Sequence, residues 1–168
     1  MIIGVPKEIK NNENRVAIIP EKASILSKQN HDILIESNAG IGAGYTDEEY
    51  LNAGCEIITN KEKIYKNAEL ITKVKEPLES EFKYLNNKSI LFTFLHLAAN
   101  KNLSINLLKS ETTSIAYEAV TKDGKNFPLL KPMSEIAGKL APQIAANFLQ
   151  KQYGGPGLLI GGTSNIKP

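Results

Sequence analysis

The stretch SILFTFL, residues 89–95, is apolar except for one serine and one threonine, and His96 follows it directly. A strand with one wet face alternates apolar and polar residues. A short run this apolar instead suits a central strand of a parallel sheet, covered on both faces. Weaker versions of the signal recur on either side. IIGVP (2–6) reads as a first strand stopped by Pro6, HDILIES (31–37) as a second, CEIIT (55–59) as a third and ELITKVK (69–75) as a fourth, while TTSIAYEA (112–119) makes a sixth.

Helical stretches separate these strands. PEKASILSKQ (20–29) is opened by Pro20. In TDEEYLNAG (46–54), Thr46 and Glu49 have capping-box spacing and Gly54 suits a left-handed stop. NKEKIYKNA (60–68) and KNLSINLLKS (101–110) follow, and a last helix is expected from Ser134 to about Gln152. The alternation predicts an α/β fold: a Rossmann-like (flavodoxin-like) parallel-sheet domain that ends in a long helix. Ligands of such sheets collect at the carboxyl ends of the strands, so chemistry is sought there.

Composition narrows the function classes. The chain is 42% hydrophobic and 23% charged, with a net charge of +2 and scattered lysines. This balance predicts neither a nucleic-acid nor a membrane partner. No apolar run approaches the ~20 residues of a membrane span. The start, MIIGVPKEIK, lacks the basic n-region and long apolar core of a signal peptide, so a cytoplasmic location is expected. Cys55 is the single cysteine, which excludes an internal disulfide or a CxxC metal site; it reads as a small buried apolar residue. No metal site is expected.

Two glycine-rich stretches could cradle phosphate. AGIGAGYT (39–46) lies between a strand and a helix, but Gly40, Gly42 and Gly44 give GxGxG. Tyr45 stands within the missing GxxG spacing and no Walker lysine follows. A plain glycine turn is the expected reading. YGGPGLLIGG (153–162) has no helix after it, and the tail 163–168 is polar and closed by Pro168.

Few residues remain for chemistry. His96, at the end of the most apolar strand, is expected to be partly desolvated and to face the ligand crevice, where its near-neutral pKa suits proton transfer. The alternative is a core histidine bonded to a backbone carbonyl. His31 opens a strand after a polar turn and reads as a turn residue. Lys75 ends a strand, where lysines are usually solvated; Lys73 competes with it, and strand alternation puts both on one face with Val74 opposite. Arg15 sits where the polar loop 7–14 meets an apolar run, and its guanidinium could clamp a carboxylate with two parallel hydrogen bonds. Arginine, lysine and histidine together suit a small 2-oxo or 2-amino acid.

At these positions the chain resembles a known family. IGVPKEIKNNENRVA (3–17), KVKEPL (73–78), ILFTFLHLAA (90–99), IAYEAV (115–120) and PLLKPMSEIAGK (128–139) are similar, in that order, to alanine dehydrogenases, with the opening shared by the transhydrogenase α subunit. The resemblance implies NAD-dependent oxidation of L-alanine, with water, to pyruvate and ammonia. It implies substrate binding by Arg15 and Lys75, a cleft lined by Met133, acid/base work by His96, and a cofactor contact at Ser134. Glu118 could reach the cleft or hold a metal, a structural role being simpler. It also implies a hexameric assembly.

The resemblance divides the chain into a substrate-binding segment, 1–131, and an interdomain helix with a stub, 132–168, that leads toward an NAD-binding domain. Most of the cofactor site is then expected to be missing and the chain inactive alone. The alternative is a non-catalytic subunit of a split dehydrogenase or transhydrogenase-like complex, paired with a separate NAD-binding chain. Departures from the family pattern are Ile19 in place of Thr or Ser, Asn30 in place of Gly, Phe94 in place of Tyr, Pro142 in place of Ala or Val, and the segment 163–166 in place of a VPGV-like run. Pro142 falls inside the last expected helix, where proline costs roughly 3 kcal/mol or a kink.

Overall fold

A computed structural model of the protein describes residues 1–165, so Ile166 and Pro168 of the tail lie outside the described residues. The chain forms two compact units, which divide after Val120. The first contains strands β1 (Ile2–Val5), β2 (Asp32–Glu36), β3 (Glu56–Ile58), β4 (Leu70–Thr72), β5 (Ile90–Thr93) and β6 (Thr113–Ala116), with helices α1 (Pro20–Lys28), α2 (Asp47–Asn52), α3 (Lys61–Asn67) and α4 (Lys101–Lys109) between them. All neighbouring strands pair in parallel, in the order β3-β2-β1-β4-β5-β6. Of the doubly wound orders, this is the six-stranded Rossmann one. The strand order reverses between β1 and β4, and a crevice opens there by topology alone.

Alternation along the strands explains the two cores. In β2, Ile33 and Ile35 join Ile3, Val5, Ala23, Tyr50 and Cys55 in one cluster, whereas Leu34 joins Ile64, Ile71, Leu91 and Leu103 in the other. Consecutive residues point to opposite faces, so each helix pair finds its own apolar layer. A close approach makes one layer possible. A Cβ on Gly4 would lie 2.6 Å from Ile64 Cγ2 and 2.9 Å from Ala68 Cβ, so β1 admits α3 only because residue 4 is glycine.

Most helix ends are set by short polar side chains. The Thr46–Glu49 capping box forms, with Glu49 N donating to Thr46 Oγ1 at 3.3 Å and Thr46 N to Glu49 Oε2 at 2.7 Å. Asn60 and Asn100 cap α3 and α4 by accepting from Glu62 N and Leu103 N. Asn30 takes φ +63°, a conformation that asparagine tolerates better than other side chains, which accounts for its replacing glycine there.

Two expectations need correction. The fourth strand ends at Thr72 rather than at Lys75, because a bend follows and the amides of Val74 and Lys75 donate to the Glu8 carboxylate instead of to a strand. Alternation therefore does not pair Lys73 with Lys75: Lys73 is fully buried and Lys75 is half-buried.

In the second unit the long helix α5 spans Lys131–Phe148, earlier at both ends than expected. Pro132 suits a first helical turn, where no N–H is needed. At the other end the carbonyl of Leu149 takes the amides of Gly157 and Leu158, which fold the chain back. The helix runs through Pro142, and it exposes Ile136, Leu140, Ile144 and Phe148.

The N-termini of α1 and α5 lack a side-chain cap. Ile19, at the N-cap of α1, has the extended backbone of a cap (φ −83°, ψ 157°) but offers no side-chain acceptor. Ile19→Thr is expected to stabilise the chain by about 1 kcal/mol, raising Tm by ~2–4 °C. A thermal melt that fails to rise would show that the isoleucine's packing outweighs the missing hydrogen bond.

Candidate functional site

The loop after β1 and the bend after β4 meet at the switch point. Arg15 comes from the first and Lys75 from the second. The carboxylate of Glu8 joins them: its Oε1 accepts from Val74 N at 2.6 Å and from Lys75 N at 3.2 Å. Glu8, Glu13, Asn14 and Arg15 line a cleft of about 150 Å³, closed on one side by Ile41 and Gly42 of the glycine turn. That turn is a short 3₁₀ segment, Ile41–Ala43, ended by Gly44 at φ +89°.

The Arg15 guanidinium makes the two-pronged carboxylate contact that its chemistry suggests, but with Glu13. Nε donates to Glu13 Oε1 at 2.8 Å and an Nη donates to Oε2 at 2.7 Å. The Arg15 hydrogen bond holds the Glu13 carboxyl below the usual range against the opposing effect of burial, helped by the Arg15 and Lys75 charges. Glu13 in turn raises Arg15 further above its ordinary value, against burial. Arg15 thus grips one carboxylate at this cleft, and the Lys75 charge is the smallest of the effects on it.

His96 lies at the end of β5, beside β4. It adopts a left-handed backbone, φ 49° and ψ 40°. It is exposed, which corrects the expectation of partial desolvation: the chain turns out of the sheet at Leu95, so the ring follows the loop rather than the core. The core-histidine alternative is excluded by the same exposure. Its ring stacks on Phe94, centroids 6.0 Å apart, and Phe94 packs edge-on against Tyr117 at 5.1 Å. Glu118 holds the turn, accepting from His96 N at 2.7 Å and from Leu95 N at 3.2 Å. Its role is structural, and among the described residues no group of three or more His, Cys, Asp or Glu could hold a metal ion.

Sequence reasoning missed the buried ions beneath the cleft. Lys73, with no exposure, sits 3.3 Å from Glu8 Oε2 and 3.2 Å from Glu81 Oε1. Glu81 also accepts from Tyr65 OH at 3.2 Å and lies 3.5 Å from Lys61, which pairs with Glu36 at 3.6 Å. Lys10 pairs with Glu76 nearby. The available signal was the density of charge in PKEIK and KVKEP at strand ends, where a solvated reading is the default.

The other expected residues fall elsewhere. His31 precedes β2 as a turn residue, its amide donating to Leu26 O at 3.2 Å. Cys55 is buried, and burial pushes its thiol up to about 11. Met133 and Ser134 belong to the second unit, in α5. Met133 is half-buried; Ser134 donates to Leu130 O at 3.4 Å and lines a shallow cleft of about 300 Å³ with Lys125, Phe127 and Lys131. The dinucleotide implied by the resemblance does not fit the switch-point cleft. Glu8 and Glu13 carboxylates stand where a pyrophosphate would need amide donors, so like charges would meet.

Comparison with known proteins gives the family. The chain is 50% identical over its whole length to an alanine dehydrogenase from Methanococcus maripaludis, covering 45% of that protein. It is 49% identical to an alanine dehydrogenase from Bacillus subtilis over 99% of the chain and 43% of that protein. Among solved structures it superposes on an L-alanine dehydrogenase with a TM-score of 0.89 and 45% identity, covering all of this chain and 46% of the other. It also superposes on a transhydrogenase from Sinorhizobium meliloti with a TM-score of 0.67 and 25% identity, over 73% of this chain and 36% of the other. The chain thus spans a little under half the length of the alanine dehydrogenases it matches. The alanine dehydrogenase/PNT N-terminal domain matches residues 4–137, most of the chain, and the protein belongs to that family.

Proposed function

We propose that the chain supplies the substrate side of an alanine dehydrogenase and binds L-alanine or pyruvate at the switch point. The observation that carries this reading is the two-pronged grip of Arg15 on a carboxylate, that of Glu13, beside the bend that carries Lys75. A substrate carboxylate has the same shape and charge and would take that carboxylate's place on Arg15. Lys75 would hold the carbonyl or amino-bearing end, and His96 on the adjacent strand end would move the proton. For Met133 and Ser134, in the second unit, the proposed roles are the substrate and cofactor contacts that the resemblance implies.

Binding is then an exchange. The guanidinium gives up one bidentate partner for another, so the gain is smaller than for an unengaged arginine. Oxidation also needs NAD as hydride acceptor, which the described switch-point residues do not accommodate. The reaction itself is therefore proposed only for a protein in which this domain faces a nucleotide-binding one. The greater likeness to alanine dehydrogenase than to transhydrogenase favours an amino-acid substrate over a domain that only pairs with a partner's nucleotide site. Co-purification of a separate NAD-binding chain would support the split arrangement.

Calorimetric titration with pyruvate tests the reading. The wild-type chain is expected to bind, Arg15→Ala to lose about tenfold or more of the affinity, and Glu13→Gln to bind more tightly because the internal competitor has lost its charge. A wild-type chain that shows no binding to either pyruvate or alanine would overturn it.

The His96 turn has its own pH signature. Burial acts to raise the Glu118 carboxyl, but it is outweighed by the amides of Glu118, His96 and Leu95 and by the His96 charge, so the carboxyl stays below its usual range. A carboxyl depressed in the folded state gives stability that is complete above the unfolded value of about 4.3 and is lost as pH falls through the lower folded value. The Glu118 side-chain carboxyl resonance is expected to keep its ionised position down to roughly pH 4.5 and to titrate only below it. A carboxyl midpoint above the ordinary glutamate range would contradict this anchor.

A further inference from the structure

The buried carboxylate of Glu8 has no place in the roles given above, yet it ties the cleft-lining loop after β1 to the bend after β4. Its side chain is 4% exposed. Oε1 accepts the amides of Val74 and Lys75, and Oε2 faces Lys73 Nζ at 3.3 Å. It lines the same cleft as Arg15 and Glu13. The bend that carries Lys75 has left the ladder of β4, so its amides have no strand partner and Glu8 supplies the replacement.

We infer that Glu8 is a positioning residue: it fixes the Val74–Lys75 backbone beside the cleft that Arg15 lines, and so sets where the Lys75 side chain starts. The inference rests on the substrate reading proposed above. Lys73 neutralises Glu8 from below, shared with Glu81. That leaves Oε1 to the two amides, and charge-assisted bonds of this kind are short and directional. Without them the bend keeps the long bond from Phe94 N to Val74 O at 3.4 Å, and a long lysine side chain magnifies a small backbone shift at its tip.

A purely structural Glu8 would matter only through the buried charge balance. Glu8→Asp separates the two roles, because it keeps the negative charge near Lys73 but falls one methylene short of the amides. Glu8→Gln keeps the length and removes the charge.

The test is pyruvate titration of this chain as wild type, E8D, E8Q, K75M and E8D/K75M, each variant checked for folding by its thermal melt. Folded E8D is expected to bind pyruvate about tenfold more weakly. Adding E8D to K75M is expected to cost nothing further, because Glu8 acts through Lys75. E8Q carries the same question if E8D does not fold, since loss of the charge weakens both amide bonds. A folded E8D or E8Q that binds within twofold of wild type overturns the inference, as does a double variant whose loss is the product of the single losses. Wild-type binding with either result leaves the substrate reading standing, whereas absence of wild-type binding removes both.

Discussion

A single buried carboxylate holds the two halves of the sheet's crevice together. Topology brings the ends of β1 and β4 side by side, but it does not say how the chain leaves them. Glu8 does: it reaches from the loop after β1 to the amides that follow β4. Burying that charge is expensive unless it is matched, and Lys73 matches it while Glu81 and Tyr65 complete the hydrogen bonding. Removing one member would leave an uncompensated buried charge at a cost of about 3–5 kcal/mol. The arrangement is better understood as fixing one geometry than as adding net stability.

The same logic separates the two layers of charge at the strand ends. The lower layer, with Lys73, Glu81, Lys61 and Glu36, is closed and mutually paired. The upper layer has Arg15 and Glu13 lining the cleft and Lys75 on the bend after β4, and Arg15 there is exposed. The Arg15 side chain is 45% exposed and that of Glu13 only 8%, so a ligand would reach the pair from the guanidinium side. His96 adds a third element on the next strand, placed by the carboxylate of Glu118 and the ring of Phe94 rather than by the core.

Much of the fold was legible because its signals are local. The apolar run at 89–95, the Thr46–Glu49 box and the capping asparagines act within a few residues of themselves. The end of β4 was not legible, because it is decided by Glu8, distant in sequence and adjacent only in the fold. Lys73 was misplaced for the same reason: nothing in KVKEP says which lysine meets a buried carboxylate and which meets a cleft. Arg15 was read as able to clamp a carboxylate with two hydrogen bonds, and the structure shows it doing so within the chain. That the carboxylate is the chain's own Glu13, two residues away, follows from the loop's conformation and not from its composition.

Amide hydrogen exchange at Val74 and Lys75 tests the central claim most directly. Both residues lie in a bend outside the sheet, so without the Glu8 carboxylate their amides would exchange as loop amides do. The account predicts protection comparable to that of Lys73, whose amide donates to Phe92 O at 3.1 Å within the sheet. Exchange at Val74 and Lys75 as fast as in an exposed loop, with Lys73 protected, would contradict it.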